Sequence, residues 1–125
     1  MPNSSHKTAA EAFLNLVIAG QIREAYDRHV SPDFRHHNVH NKGDRESLFL
    51  AMEAAHVQFP NKVFQIRHSL EDGNLVAVHS SMSLNPDQPE IAVVHLFRFE
   101  NDLIIEEWDV GQQAPAESLN ENGMF

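Results

Sequence analysis

The chain has 125 residues, 42% of them apolar, which is one domain's length and enough to bury about two thirds of the unfolded surface. Its 18 acidic residues outnumber 9 Lys and Arg, and the resulting charge of −9 repels phosphate backbones, so nucleic acid is not an expected partner. Without cysteine it has no disulfide frame, no thiolate nucleophile and no Cys-based zinc site. Protonating all nine histidines would bring the sum to −9 + 9 = 0, so solubility should fall below about pH 6. The apolar runs are too short to span a bilayer, and "MPNSSHKT" lacks a hydrophobic signal core, which sets the expectation of a cytoplasmic protein with no membrane partner.

"TAAEAFLNLVIAG" predicts a first helix, with Thr8 and Glu11 at capping-box spacing, Gly20 as a stop, and Ala10, Phe13, Leu14 and Val17 on one face. "QIREAYDRHV" continues as a second short helix whose inner side is Ile22, Ala25 and Tyr26, ending at Pro32. A third runs from Asp44, an N-cap, to Phe59, with Leu48, Met52, Ala55 and Phe59 as its stripe. Between them lies "FRHHNVHNKG", read as a connecting loop with His36 and His40 in solvent and His37 and Asn38 reaching inward.

From Val63 the period becomes two. "VFQIRH" groups Phe64, Ile66 and His68, "EDGN" is a hairpin turn, and "LVAVHSSMS", "IAVVHLFRF" and "LIIEEWDV" follow as strands. Helices followed by an antiparallel meander predict an α+β domain over residues 1–125. Residues 1–7 and 114–125 are expected to be irregular, with Met124 and Phe125 able to tuck onto the body. A curved sheet closed on one side by helices leaves a concave cavity.

Three strand residues suggest chemistry. His79 shares a small, polar face with Ala77 and Ser81, whereas His95 sits among Val93, Phe97 and Phe99. On the last strand Ile105, Glu107 and Asp109 group against Ile104, Glu106 and Trp108. Asp109, late in the strand and beside a tryptophan, is a general-base candidate because partial burial raises a carboxylate's pKa. The bland alternative is a strand-end cap or an ion pair with Arg98. The histidines of "HHNVH" lack the helical register of a persuasive metal pair, so no metal is expected. No phosphate loop, dinucleotide fingerprint or serine elbow is present.

Read together, "FRHHN", "GDRESLFLAMEAAHVQFP", "DGNLVAVHSSMS", "VVHLFRFENDLIIEEWDVGQ" and the terminal "NENGMF" resemble the SnoaL-like polyketide cyclases, within the nuclear-transport-factor-2-like superfamily that includes ketosteroid isomerases. The resemblance covers nearly the whole chain. It implies a cone-shaped half-barrel, a bent antiparallel sheet wrapped around three helices, often dimeric through the outer sheet face. It also implies cofactor-independent aldol chemistry, with the aspartate of "EEWDV", Asp109, as general acid and base. Relatives tend to carry "QHN" at His36 to Asn38, "EHWD" at Glu106 to Asp109, and an acid at His95. The expected site therefore comprises Asp109, His79 and His95 as catalytic residues. Its substrate wall is His37, Asn38, Phe97, Phe99, Phe13, Val17 and Met52, around a small apolar carbonyl compound. The alternative is a non-catalytic ligand-binding or dimerisation module with Trp108 as anchor.

Overall fold

The computed structural model describes residues 5–125. Three helices, α1 (His6–Ile18), α2 (Ile22–His29) and α3 (Arg45–Gln58), pack against five strands: β1 (Val30–His36), β2 (Val63–Asp72), β3 (Leu75–Ser83), β4 (Ile91–Glu100) and β5 (Leu103–Gln113). The fold is α+β, with a curved, unclosed sheet. No helix among the described residues is long and apolar enough to cross a membrane.

The first helix starts earlier than its sequence signals suggested. Ser5 is the N-cap, its Oγ accepting the Thr8 N–H at 3.1 Å, so Thr8 lies inside the first turn. Residues 6 and 7, expected to be irregular, are helical because tertiary contacts hold them. The His6 ring stacks on Phe99 at 4.5 Å, and the Lys7 N–H donates to Glu71 Oε1 at 2.9 Å. Residues 1–4 of that expected irregular end lie outside the described residues. Gly20 closes α1 at φ +86°, where a side chain would run into the His56 ring. Asp44 caps α3 as expected, accepting the Ser47 N–H at 3.3 Å.

The principal departure lies after α2. Val30, expected to end the second helix, and Phe34 to His36, expected in a loop, belong to one strand, Val30–His36, paired in parallel with β5 through Val30 and Ile104, Arg35 and Glu106, and His36 and Glu107. Pro32 ends the helix, yet it also drives Ser31 into extended backbone, and an edge strand tolerates the missing N–H. The sheet order is β1-β5-β4-β3-β2, a meander of four antiparallel strands extended by one parallel edge. The last hairpin turns through Asn101 and Asp102, both at positive φ (52° and 66°), the conformation that two-residue turns favour.

Two bulges set which side chains face the helices. Phe99 pairs with Ile104 and Arg98 with Glu106, which leaves Ile105 as an extra residue. Ile104 therefore joins Glu107 and Asp109 on the inner face and is fully buried, instead of lying outside with Glu106 and Trp108. Likewise Arg67 is extra between the Ile66–Ser80 and His68–His79 pairs, so His68 leaves the face of Phe64 and Ile66. The core forms where Ala10, Phe13, Leu14, Ala25 and Tyr26 meet Val76, Val78, Phe97 and Ile104. Phe13 lies edge-on to Phe97 at 5.8 Å, an arrangement that adds about 1 kcal/mol to area burial. At the other end of the chain, Phe125 settles under the Arg67 guanidinium on the outer face.

Candidate functional site

Strand pairing arranges the inner face in rows. One row is Val76, Phe97, Glu107 and His36; the next is Val78, His95 and Asp109, continued by Asn38 just beyond β1; a third is Ser80, Val93 and Gly111. Five polar side chains, Glu107, His36, His95, Asp109 and Asn38, thus form a compact patch on a largely apolar surface.

Hydrogen bonds orient this patch. The Asn38 carbonyl oxygen accepts from the His40 backbone N–H and from Asn41 Nδ2, both at 3.0 Å, so its amide nitrogen must point the other way. Asn38 Nδ2 accordingly donates to Asp109 Oδ1 and Oδ2 at 3.3 and 3.2 Å. The Asn38 backbone N–H donates to His36 Nδ1 at 3.1 Å. With Nδ1 as acceptor, neutral His36 carries its proton on Nε2, a buried donor with no partner.

Burial decides the protonation states. His95 is held down to about pKa 4 by desolvation, partly offset by Asp109, and is therefore a neutral imidazole at physiological pH. Burial also lowers the His36 pKa, against the pull of Asp109. Glu107 is only 2% exposed, and its Oε1 has no hydrogen-bond partner. Desolvation, reinforced by the Asp109 charge, pushes it up to about 8, so it keeps its proton at pH 7. Desolvation raises Tyr26 too, with Glu107 adding to the effect.

Asp109, His95 and Asn38 open into a cavity of about 350 Å³ between the sheet and the helices, within the range of small-molecule sites. Val17, Leu48, Met52, Phe64 and Met82 are part of its apolar wall, and Asn41 and Lys62 add polar groups to the lining. A larger groove of about 490 Å³ near α1 and α2, lined by Ala9, Asn15, Leu16, Arg28 and His29, includes none of the buried carboxylates. Among the described residues no three His, Asp or Glu side chains converge as metal ligands.

The structure brings Asp109, His95, Asn38, Val17 and Met52 together around one cavity. Phe13, Phe97 and Phe99 lie in the packed core behind it and do not line it. His37 faces outward instead of inward, its Nε2 2.7 Å from Glu106 Oε2 and its ring stacked on Trp108 at 5.1 Å. Strand alternation from Phe34 explains the exchange: His36 and Asn38 turn in, and His37 turns out. His36, expected in solvent, is buried, whereas His40 is exposed. His79 also lies on the outer face, because Val76 and Val78 take the inner positions; its ring stacks on His68 at 5.2 Å, with the two Nδ1 atoms 3.0 Å apart. Arg98 binds Glu106 at 3.3 Å and covers Trp108, so it forms no pair with Asp109. Residue reading missed His36, Glu107 and Lys62. Treating "FRHHN" as a strand, with Phe34, His36 and Asn38 on one side, would have found the first.

Residues 10–107 match the family model described as the SnoaL-like domain. No curated protein matches the sequence. Among solved structures, the fold resembles a candidate polyketide cyclase from Acidithiobacillus ferrooxidans, at 16% identity and a TM-score of 0.73 over 89% of this chain and 91% of that one. It resembles an NTF2-like protein of unknown function from Cytophaga hutchinsonii, at 14% identity and a TM-score of 0.70 over 89% and 93% of the two chains. An uncharacterized cystatin-fold protein from Novosphingobium aromaticivorans superposes with a TM-score of 0.73 at 19% identity, over 86% and 99%. The chain belongs to the SnoaL-like domain family, and its α+β fold is that of NTF2-like proteins.

Proposed function

We propose that the protein is a cofactor-independent acid–base enzyme acting on a small, largely apolar carbonyl compound, as an aldol-type cyclase or an isomerase. The observation that carries this reading is Asp109, oriented by Asn38 and set beside neutral His95 at one end of an apolar cavity. Asp109 removes a proton α to the substrate carbonyl, the electron pair moves onto the carbonyl oxygen, and a neighbouring N–H donor, His95 or Asn38, stabilises the enolate. In a cyclisation the enolate carbon then attacks a second carbonyl of the same molecule, and the proton on Asp109 passes to the new alkoxide. Neutral His95 suits the donor role, since an imidazole that stays uncharged does not quench the base.

The unpaired state of Asp109 with respect to Arg98, and the presence of a cavity, favour this reading over a non-catalytic module. The same reading has the chain working as a homodimer through the outer sheet face, where Leu70 and Val110 are exposed. Exchange of the α-protons of a bicyclic ketone such as 2-tetralone into deuterated water, followed by NMR, tests the chemistry. The wild type should accelerate exchange, and Asp109→Asn should lose about 10²- to 10⁴-fold of that acceleration with an unchanged melting temperature. An Asp109→Asn protein as active as wild type removes the assignment.

A further inference from the structure

Lys62 belongs to the cavity but to none of the chemistry above. It lines the same space as Asp109 and His95, from the far side of the row formed by Phe64 and Met82. That row lies two rows, roughly 14 Å along the strands, from the row of His95 and Asp109. The Lys62 ammonium donates to the Phe59 carbonyl at 3.2 Å and the Ala55 carbonyl at 3.5 Å, the last turn of α3. Two of its three protons are thus committed, and the position of the nitrogen is fixed while one donor stays free. None of the ion pairs among the described residues involves Lys62. Other cations are engaged elsewhere: Arg35 and Arg98 hold Glu106, and Arg45 binds the carbonyls of Tyr26 and Ser31.

We propose that Lys62 is an anion-binding subsite at the opposite end of the cavity from Asp109, so that the ligand is an elongated apolar molecule bearing a carboxylate at one end and a carbonyl at the other. The proposal rests on the functional reading for its carbonyl end and on Lys62 alone for its acid end. Electrostatics give the ligand a direction. Asp109 repels a carboxylate from its own end, and on a chain of charge −9 the one lysine of the cavity wall is where an anion gains. The apolar wall of Val17, Leu48, Met52 and Phe64 between the two ends takes the hydrocarbon. Burial lowers the Lys62 pKa, the cost of holding an ammonium there without a counter-charge, and a bound carboxylate relieves it.

The test is a comparison of two probes, 2-naphthylacetate and its neutral amide, titrated against the full chain and followed by fluorescence and by the methyl NMR signals of Val17 and Met52. The wild type should bind the acid about tenfold or more tighter than the amide, a preference that weakens with added salt. Lys62→Met should bring the ratio to about one without changing affinity for the amide, Lys62→Arg should retain the preference, and Asp109→Asn should not diminish it. A lysine that only caps α3 would change melting temperature and leave the ratio alone. Equal binding of acid and amide by the wild type, or a preference that survives in Lys62→Met, overturns the subsite while leaving the acid–base reading intact. Binding of neither probe overturns the cavity itself, and both readings with it. The wild-type ratio needs no variant to fold.

Discussion

Glu106 and Glu107 are neighbours on one strand, yet they occupy opposite electrostatic worlds. Glu106 faces out, where His37, Arg98 and Arg35 surround its carboxylate at 2.7 to 3.5 Å and lower its pKa, the His37 hydrogen bond most of all. Glu107 faces in, meets no cation, and is forced to keep its proton. The outer face spends three basic groups on one acid, while the inner face leaves a carboxylic acid and two imidazole nitrogens without partners. Unsatisfied buried polar groups cost stability, and several of them are gathered on this inner patch.

That contrast can be broken most severely at its apolar support. Phe97 is the β4 partner of Glu107, with its ring parallel to that of His95 and edge-on to that of Phe13. Phe97→Ala should cost about 3–5 kcal/mol in chemical denaturation, because the cavity it leaves lies in packed core.

Glu107→Gln should act in the opposite direction. The unfolded carboxyl releases its proton above its ordinary pKa of 4.5, whereas the folded one holds it to about 8, so wild-type stability falls as pH rises through that window. The neutral amide removes this penalty, and we expect a gain on the order of 3 kcal/mol at pH 7.5 that vanishes near pH 4.5. A gain of the same size at both pH values would show that charge is not the cause.

His95 should show the mirror image with a smaller amplitude. An unfolded histidine takes up a proton below about 6.5, but folded His95 resists until about 4, so its contribution to stability is lost as pH falls through that interval. Between pH 7 and pH 5 the stability of wild type relative to His95→Gln should drop by about 2 kcal/mol, read from paired denaturation curves.

On the outer face, Glu106→Gln should cost about 1 kcal/mol: the Glu106 side chain is itself only 10% exposed, but its partners Arg35, His37 and Arg98 are 72%, 47% and 39% exposed and can be rehydrated. A loss as large as that of Phe97→Ala would erase the distinction between the faces.

How much of this was legible in the sequence depended on whether a residue's neighbours in the chain were also its neighbours in period. The helices declared themselves through their apolar stripes and, for α3, the Asp44 cap, and the hairpin between β2 and β3 through Asp72-Gly73. Asp109 and His95 could be placed on a shared face because alternation holds from Glu107 to Asp109 and from Val93 to Phe97. The residues at Ile104 and His68 were misplaced because a single extra residue in each strand, Ile105 and Arg67, reverses the count beyond it. The histidine cluster was misread for a different reason. β1 is a short parallel edge whose partner, β5, lies far along the chain, and neither its length nor its composition announces a strand. Loop and strand assign opposite directions to His36 and His37, so one error in local structure exchanged them. His79 illustrates a third limit: a small, polar face can be the outer one when Val76 and Val78 belong to the core.

The two edges of the sheet carry a further consequence, for how the protein behaves when crowded. An edge strand is a template on which a foreign strand can grow, and long, flat edges seed aggregates. Here one rim, β1, contains Pro32 and is bridged near its end by Asp44, while the other, β2, is interrupted by the bulge at Arg67. Neither rim offers a long uninterrupted rail of free N–H and C=O groups. The proline, the bridge and the bulge thus guard the molecule against recruiting its own copies edge to edge into fibres.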